Sequence, residues 1–316
     1  MGTFFGHIAH GLPMLAIGLW HIFNTTKNYV HFPTKFHSRP WFPVQSKHMS
    51  KYTELYTMMA FTLISITTEL FLSPARHRPW GPGGSIPLSH MNRMEHATIA
   101  LSFFVYAVVA LAVDKLEISA PAGLVQAVAA VGFAQELLLF HFHSSSAVGL
   151  EKHYHWLFQA VVGACLGSTL AEAAWPEKAL AALLRAAAVT MQGVWLLHMA
   201  FVLWIPAAIP SGCELQSSKN VFVAKCSTRE ATERAIAMAN LYFTWDLLLV
   251  VLVTIVVLFY NSHTVCSVDN VCNPRNKIEG YQALDFKEYD MESLQRYCRS
   301  CRETAQSESD HDDVHQ

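Results

Sequence analysis

The segment Ile236 to Tyr260, IAMANLYFTWDLLLVVLVTIVVLFY, runs 25 residues with a single charged side chain, Asp246. The hydrocarbon core of a bilayer needs about 20 consecutive apolar residues in α-helix to cross it, so this segment predicts a membrane-spanning helix. Six more stretches of that kind precede it: Phe4 to Phe23, Tyr52 to Leu72, Met94 to Val113, Ala122 to Phe142, His153 to Ala173 and Ala179 to Ile205. The longest connections, Asn24 to Lys51 and Pro206 to Ala235, hold 28 and 30 residues, below the ~50 at which an independent domain begins. The expected fold is therefore an all-α membrane protein, a bundle of seven transmembrane helices over residues 1–260. A cytoplasmic, largely disordered tail over 261–316 follows, ending in the polar, acidic run Ser307 to Asp313.

Composition agrees. Charged residues make up 15% of the chain and apolar residues 52%, and the mean hydropathy is +0.25, on the membrane side of ordinary soluble usage. A net charge of −2 with no basic run excludes a nucleic-acid surface and leaves the lipid bilayer as the expected partner. The first stretch differs from a secretory leader. Met1 to Gly6 hold no Lys or Arg, and no small-residue cleavage pair follows Phe23, so a retained first helix is expected.

Lys and Arg between the stretches set the orientation. One side receives fourteen, five of them in the first loop (Lys27, Lys35, Arg39, Lys47, Lys51), then Lys115, Lys178, Arg185 and six in the tail. The other receives eight. The excess predicts an exterior or lumenal N-terminus and a cytoplasmic C-terminus. Cys213 and Cys226 then fall in an outer loop, where an oxidising compartment allows a disulfide, while Cys266, Cys272, Cys298 and Cys301 fall inside. Cys298-x-x-Cys301 alone is a weak zinc signal, Cys266 and Cys272 are candidate palmitoylation sites beside the membrane, and Cys165 reads as a small core residue.

Charge inside a bilayer is costly and marks function, and here it is sided. The outer halves carry His7, His10, Glu69, Asn92, Glu95, His96, Glu136, His141, His143, Glu151, His153, His155, His198, Asn240 and Asp246; the inner halves carry little beyond His21, Glu172 and Gln192. Helical spacing puts His7 with His10, Glu95 and His96 with Asn92, Glu136 with His143, and Glu151 with His155 on one stripe each. Four stripes of imidazole and carboxylate at one level would suit a divalent metal such as zinc, or non-haem iron, with His7, His96, Glu136, His143 and His155 as the candidate ligands. His141 and His153 lie on other faces and read as partners in interhelical hydrogen bonds, and Glu69 and Asp246 as partners of a histidine or hydroxyl.

Gly6-His7, Glu95-His96, Glu136-x6-His143, Glu151-x3-His155 and Met191-Gln192-Gly193-x-Trp195 together resemble the transmembrane protein 45 family, over about Met1 to Tyr260. The resemblance implies a multi-pass membrane protein of unestablished activity and carries over His7, His96, Glu136, His143 and His155. The chain departs from that pattern at His141 and His198, and at Ser145, where some members carry histidine. Two functional classes follow. One is a non-enzymatic membrane protein, a scaffold, carrier or sensor, whose His/Glu cluster is a polar core or a proton-responsive site. The alternative is a metal-dependent, zinc-like membrane hydrolase acting on a lipid substrate, with Glu95 or Glu136 as general base. Haem held by paired histidines stands third, since the interleaved carboxylates favour a harder ion.

Overall fold

A computed structural model of the chain describes residues 4–44, 46–72, 84, 86, 88–144, 149–218 and 221–267. Each apolar stretch seeds one helix: α1 (Phe4–His31), α2 (Thr53–Thr67), α3 (Leu88–Lys115), α4 (Leu124–Ser144), α5 (Leu150–Ala174), α6 (Ala179–Trp204) and α7 (Arg229–Ser267). Between α6 and α7 stand two antiparallel strands, β1 (Cys213–Ser218) and β2 (Val221–Cys226), paired from Cys213 opposite Cys226 to Ser218 opposite Val221. The Cys213–Cys226 disulfide is formed across the open end of that hairpin.

Five of the helices, α3 to α7, are long and apolar enough to cross a membrane. Seven spans were expected, and α1 and α2 fall outside that set. Helix α1 dilutes its apolar face with His7, His10, His21 and Lys27, and α2 has 15 residues before the chain loosens into a π-helical turn over Thr68–Leu72. Helices also overrun their apolar stretches: α1 continues past Phe23 to His31, and α7 past Tyr260 to Ser267. The expectations for the tail beyond 267, with Cys272, Cys298 and Cys301, and for the Cys266 side chain lie outside the described residues.

In space the helices neighbour one another in the order α2, α3, α4, α5, α6, α1, with α7 against α1, α5 and α6. Helix α7 turns most of its apolar surface outward: Leu247, Leu248, Leu252 and Val256 are all exposed. Exposed apolar surface on that scale marks a lipid or protein contact, which fits a membrane-embedded chain.

The α1–α6 pair packs closest, through glycine. A Cβ on Gly18 would stand 2.7 Å from Thr190 Cα, and one on Gly193 2.7 Å from Leu15 Cα. Missing side chains let membrane helices approach to backbone contact. The small residues Gly163 and Gly167 of α5 face open space, whereas Ala181, Ala182 and Ala186 of α6 are buried. Composition counts small residues without saying which face they occupy.

Candidate functional site

At the end of the bundle bearing most of the histidines, α1 presents His7 and His10 one turn apart. His7 is buried, its ring 6.3 Å from that of His155 on α5 and 4.7 Å from that of Trp204. The His155 Nδ1–H donates to the Glu151 carbonyl at 2.8 Å, and the His10 Nδ1–H to the Gly6 carbonyl at 2.8 Å. A carbonyl only accepts, so in the neutral ring both protons sit on Nδ1. His10 Nε2 then accepts from the Ser65 hydroxyl at 3.0 Å. His96 of α3 stands 3.4 Å from the Glu69 carboxylate in the π-helical turn, and its ring 5.9 Å from Phe140. Glu69 and His96 both lie within electrostatic reach of His10, and His96 within reach of His155. Four helical segments thus meet through imidazoles, with Glu69 as a carboxylate among them.

Of the remaining expected ligands, Glu136 lies elsewhere. Glu136 accepts from Gln192 Nε2 at 2.6 Å, and Cys165 donates to Gln192 Oε1 at 3.3 Å. Cys165 stands ten residues along α5 from His155, about 15 Å at the helical rise, so this trio occupies the middle of the bundle. The second oxygen of Glu136, Oε2, is buried without a hydrogen-bond partner. His143 lies in the last turn of α4, its side chain outside the described ones; Glu95 is half-buried. Among the described residues no three His, Cys, Asp or Glu side chains come together as a metal-holding group.

The histidines read as structural behave so. His141 Nδ1 meets Gln159 Oε1 at 3.1 Å, joining α4 to α5, and His153 Nε2 meets Asn240 Oδ1 at 2.7 Å, joining α5 to α7. Glu69 and Asp246 pair with histidine, Asp246 with His198 Nδ1 at 2.8 Å.

A second polar group, at the opposite end, escaped the reading of the sequence. Arg185 of α6 donates through Nε to Glu172 of α5, through Nη1 to His21 Nδ1 at 3.0 Å, and through Nη2 to the Arg39 carbonyl at 3.3 Å. A guanidinium can only donate, so His21 Nδ1 is the acceptor and its proton sits on Nε2. That Nε2–H donates to Glu54 Oε1 at 2.9 Å. Glu54 also accepts from Trp20 Nε1 at 2.7 Å and from the Phe42 amide at 2.9 Å. It lies in the first turn of α2, where the helix dipole favours an anion. His21, Glu54, Glu172 and Arg185 are all buried. The group sets one guanidinium against two carboxyl groups and an imidazole inside the protein. Arg185 had been counted as a loop charge. The signal that would have placed it is spacing: Glu172 and Arg185 flank the connection 175–178, which returns both to one level on neighbouring helices.

Among families of known sequence, a model described as a family of unknown function (DUF716) matches residues 122–260, less than half of the chain. That family covers proteins of the transmembrane protein 45 type, so the match agrees with the resemblance over α4 to α7.

Proposed function

We propose that the chain is a non-enzymatic, multi-pass membrane protein that crosses the bilayer seven times, with its N-terminus outside and its C-terminus in the cytoplasm, and that its outer His/Glu cluster responds to protons. The observation that carries this is the imidazole grouping itself: His7 against His155, and His96 against Glu69 with His10 beside them. Histidine is the side chain whose ordinary titration falls between pH 5 and 8. A proton taken up by His96 would strengthen it against Glu69, and protons taken up by both His7 and His155 would set like charges against each other, so the two halves of the cluster respond with opposite sign. His7, His96 and His155 are the working residues in this reading; Glu136 and His143 stand deeper and at the rim of α4.

Trp204 supplies the test, because its ring stands 4.7 Å from His7. The difference in tryptophan emission between the wild type and Trp204→Phe, followed between pH 5 and 8, should change sigmoidally. His7→Gln should abolish the change and His155→Gln should shift its midpoint. A flat difference signal, or one indifferent to His7→Gln, refutes the proton-responsive reading.

A further inference from the structure

The end of the bundle that carries the first loop holds a cleft of about 520 Å³, lined by that loop, the end of α3 and the start of α4. Its position is informative. The spans Arg93–Lys115 and Leu124–Phe142 stop and start at its wall, so it lies where hydrocarbon gives way to headgroups. Trp41, Val113 and Val125 give it an apolar floor, while Arg39, Lys51, Asp114 and Glu117 line it with two cations and two carboxylates. The charges sum to zero.

Two further features mark a built site. Lys51 Nζ stands 3.1 Å from Asp114 and 4.6 Å above the Tyr52 ring, and hydrogen bonding to Tyr52 and to Asp114 holds its ammonium above the usual lysine range. The Lys51–Asp114 pair is largely exposed, and exposed pairs are weak enough for a ligand to exchange with them. Glu117 is the second feature. Helix α3 ends with the Ile118 amide bonded to the Val113 carbonyl at 3.0 Å, a helix stop that places glycine at the left-handed residue. This chain puts Glu117 there, at φ 49°. It is the one non-glycine residue with positive φ among the described residues, and it keeps a carboxylate on the rim at the expense of backbone strain.

We propose that this cleft binds the headgroup of a zwitterionic diacyl phospholipid, its phosphate between Arg39 and Lys51 and its amine between Asp114 and Glu117, with the acyl chains running along α3 and α4. A volume of this size is in the range of small-ligand sites, and the two carboxylates beside the two cations discriminate against a purely anionic head, which would leave the carboxylates unpaired. The inference shares with the proposed function only the membrane placement of α3 and α4; it asks nothing of the histidine cluster.

Native mass spectrometry of the full chain in detergent, with phosphatidylcholine, phosphatidylglycerol or soluble phosphocholine added, tests it. Phosphatidylcholine should be retained about tenfold better than phosphatidylglycerol, and Arg39→Gln/Lys51→Gln should remove about tenfold of that retention, the effect of losing a charge-assisted contact. Glu117→Gly separates binding from folding: it relieves the left-handed strain, so it should raise or preserve thermal stability while weakening phosphatidylcholine retention. Equal retention of phosphatidylglycerol, soluble phosphocholine binding as tightly as the lipid, or full retention by the Arg39/Lys51 variant would each overturn the proposal.

Discussion

Replacing Arg185 with methionine is the sharpest perturbation of the bundle, because one guanidinium satisfies three partners on three different segments. Glu172 on α5, His21 on α1 and the Arg39 carbonyl in the first loop all lose their donor. Glu172 has no exposed surface, so water does not replace the lost bond. Removing one member of a buried ion pair costs about 3–5 kcal/mol, chiefly the penalty of an uncompensated charge. The buried group would then hold two carboxyl groups without the guanidinium that joins them to the rest of the bundle. Glu172→Gln in the same chain removes the stranded charge and should recover about half of the loss or more, since an apolar or neutral replacement of a whole buried pair is close to neutral. Reversible unfolding of the purified protein in mixed detergent micelles, monitored by circular dichroism, compares both variants with the wild type. A loss below about 1 kcal/mol for Arg185→Met, or a double variant as unstable as the single one, would refute the reasoning and return Arg185 to the status of a surface charge.

Gly193→Ala should destabilise the protein by about 1–3 kcal/mol, the range for overpacking a close contact, because its Cβ would meet the Leu15 Cα at 2.7 Å; a Gly163→Ala control, whose Cβ meets open space, should be neutral or better in the same thermal assay. Reduction of Cys213–Cys226, 13 residues apart, should lower the stability of the hairpin by about 3 kcal/mol on the chain-entropy model, read as faster proteolysis between the strands, and Cys213→Ser/Cys226→Ser should match the reduced wild type.

Much of the fold was legible because apolar length is a one-dimensional signal. Runs such as Ile236 to Tyr260 predict a helix without regard to anything they touch, and all seven runs formed helices. The chemistry of their ends was harder to read. Arg185 looks like a loop cation in a count along the chain, and its burial follows only once Glu172 is matched with it across the connection 175–178. Likewise the spacing of Glu136 and His143 puts them on one stripe of α4, but spacing carries no depth, and Glu136 stands with Gln192 and Cys165 well below His155. The pairings of Glu69 and Asp246 with histidine were readable because a carboxylate inside a bundle has few stable alternatives. Gly11, Gly18 and Gly193, which set the closest helix contact, are too scattered to stand out from composition.

Helix α1, like α5, joins the two polar ends, and magnitudes decide how far a signal travels along it. His7 and His21 share α1, 14 residues apart, about 21 Å at the helical rise, and between them Gly11 and Gly18 press that helix onto α6. Two imidazolium charges at the His7–His155 separation of 6.3 Å repel by about 2–3 kcal/mol at an effective dielectric near 20. Sliding α1 as a body would have to break His21 from Arg185, within a group whose disruption costs about 3–5 kcal/mol, and would also lose the glycine contact. The repulsion is the smaller term. Acidification therefore loosens the outer turns of α1 and α5 around His7 and His155 and leaves the His21–Arg185 end closed, so amide exchange should quicken only in those turns, whereas in Arg185→Met, where the anchor is gone, the same pH step should reach the length of α1.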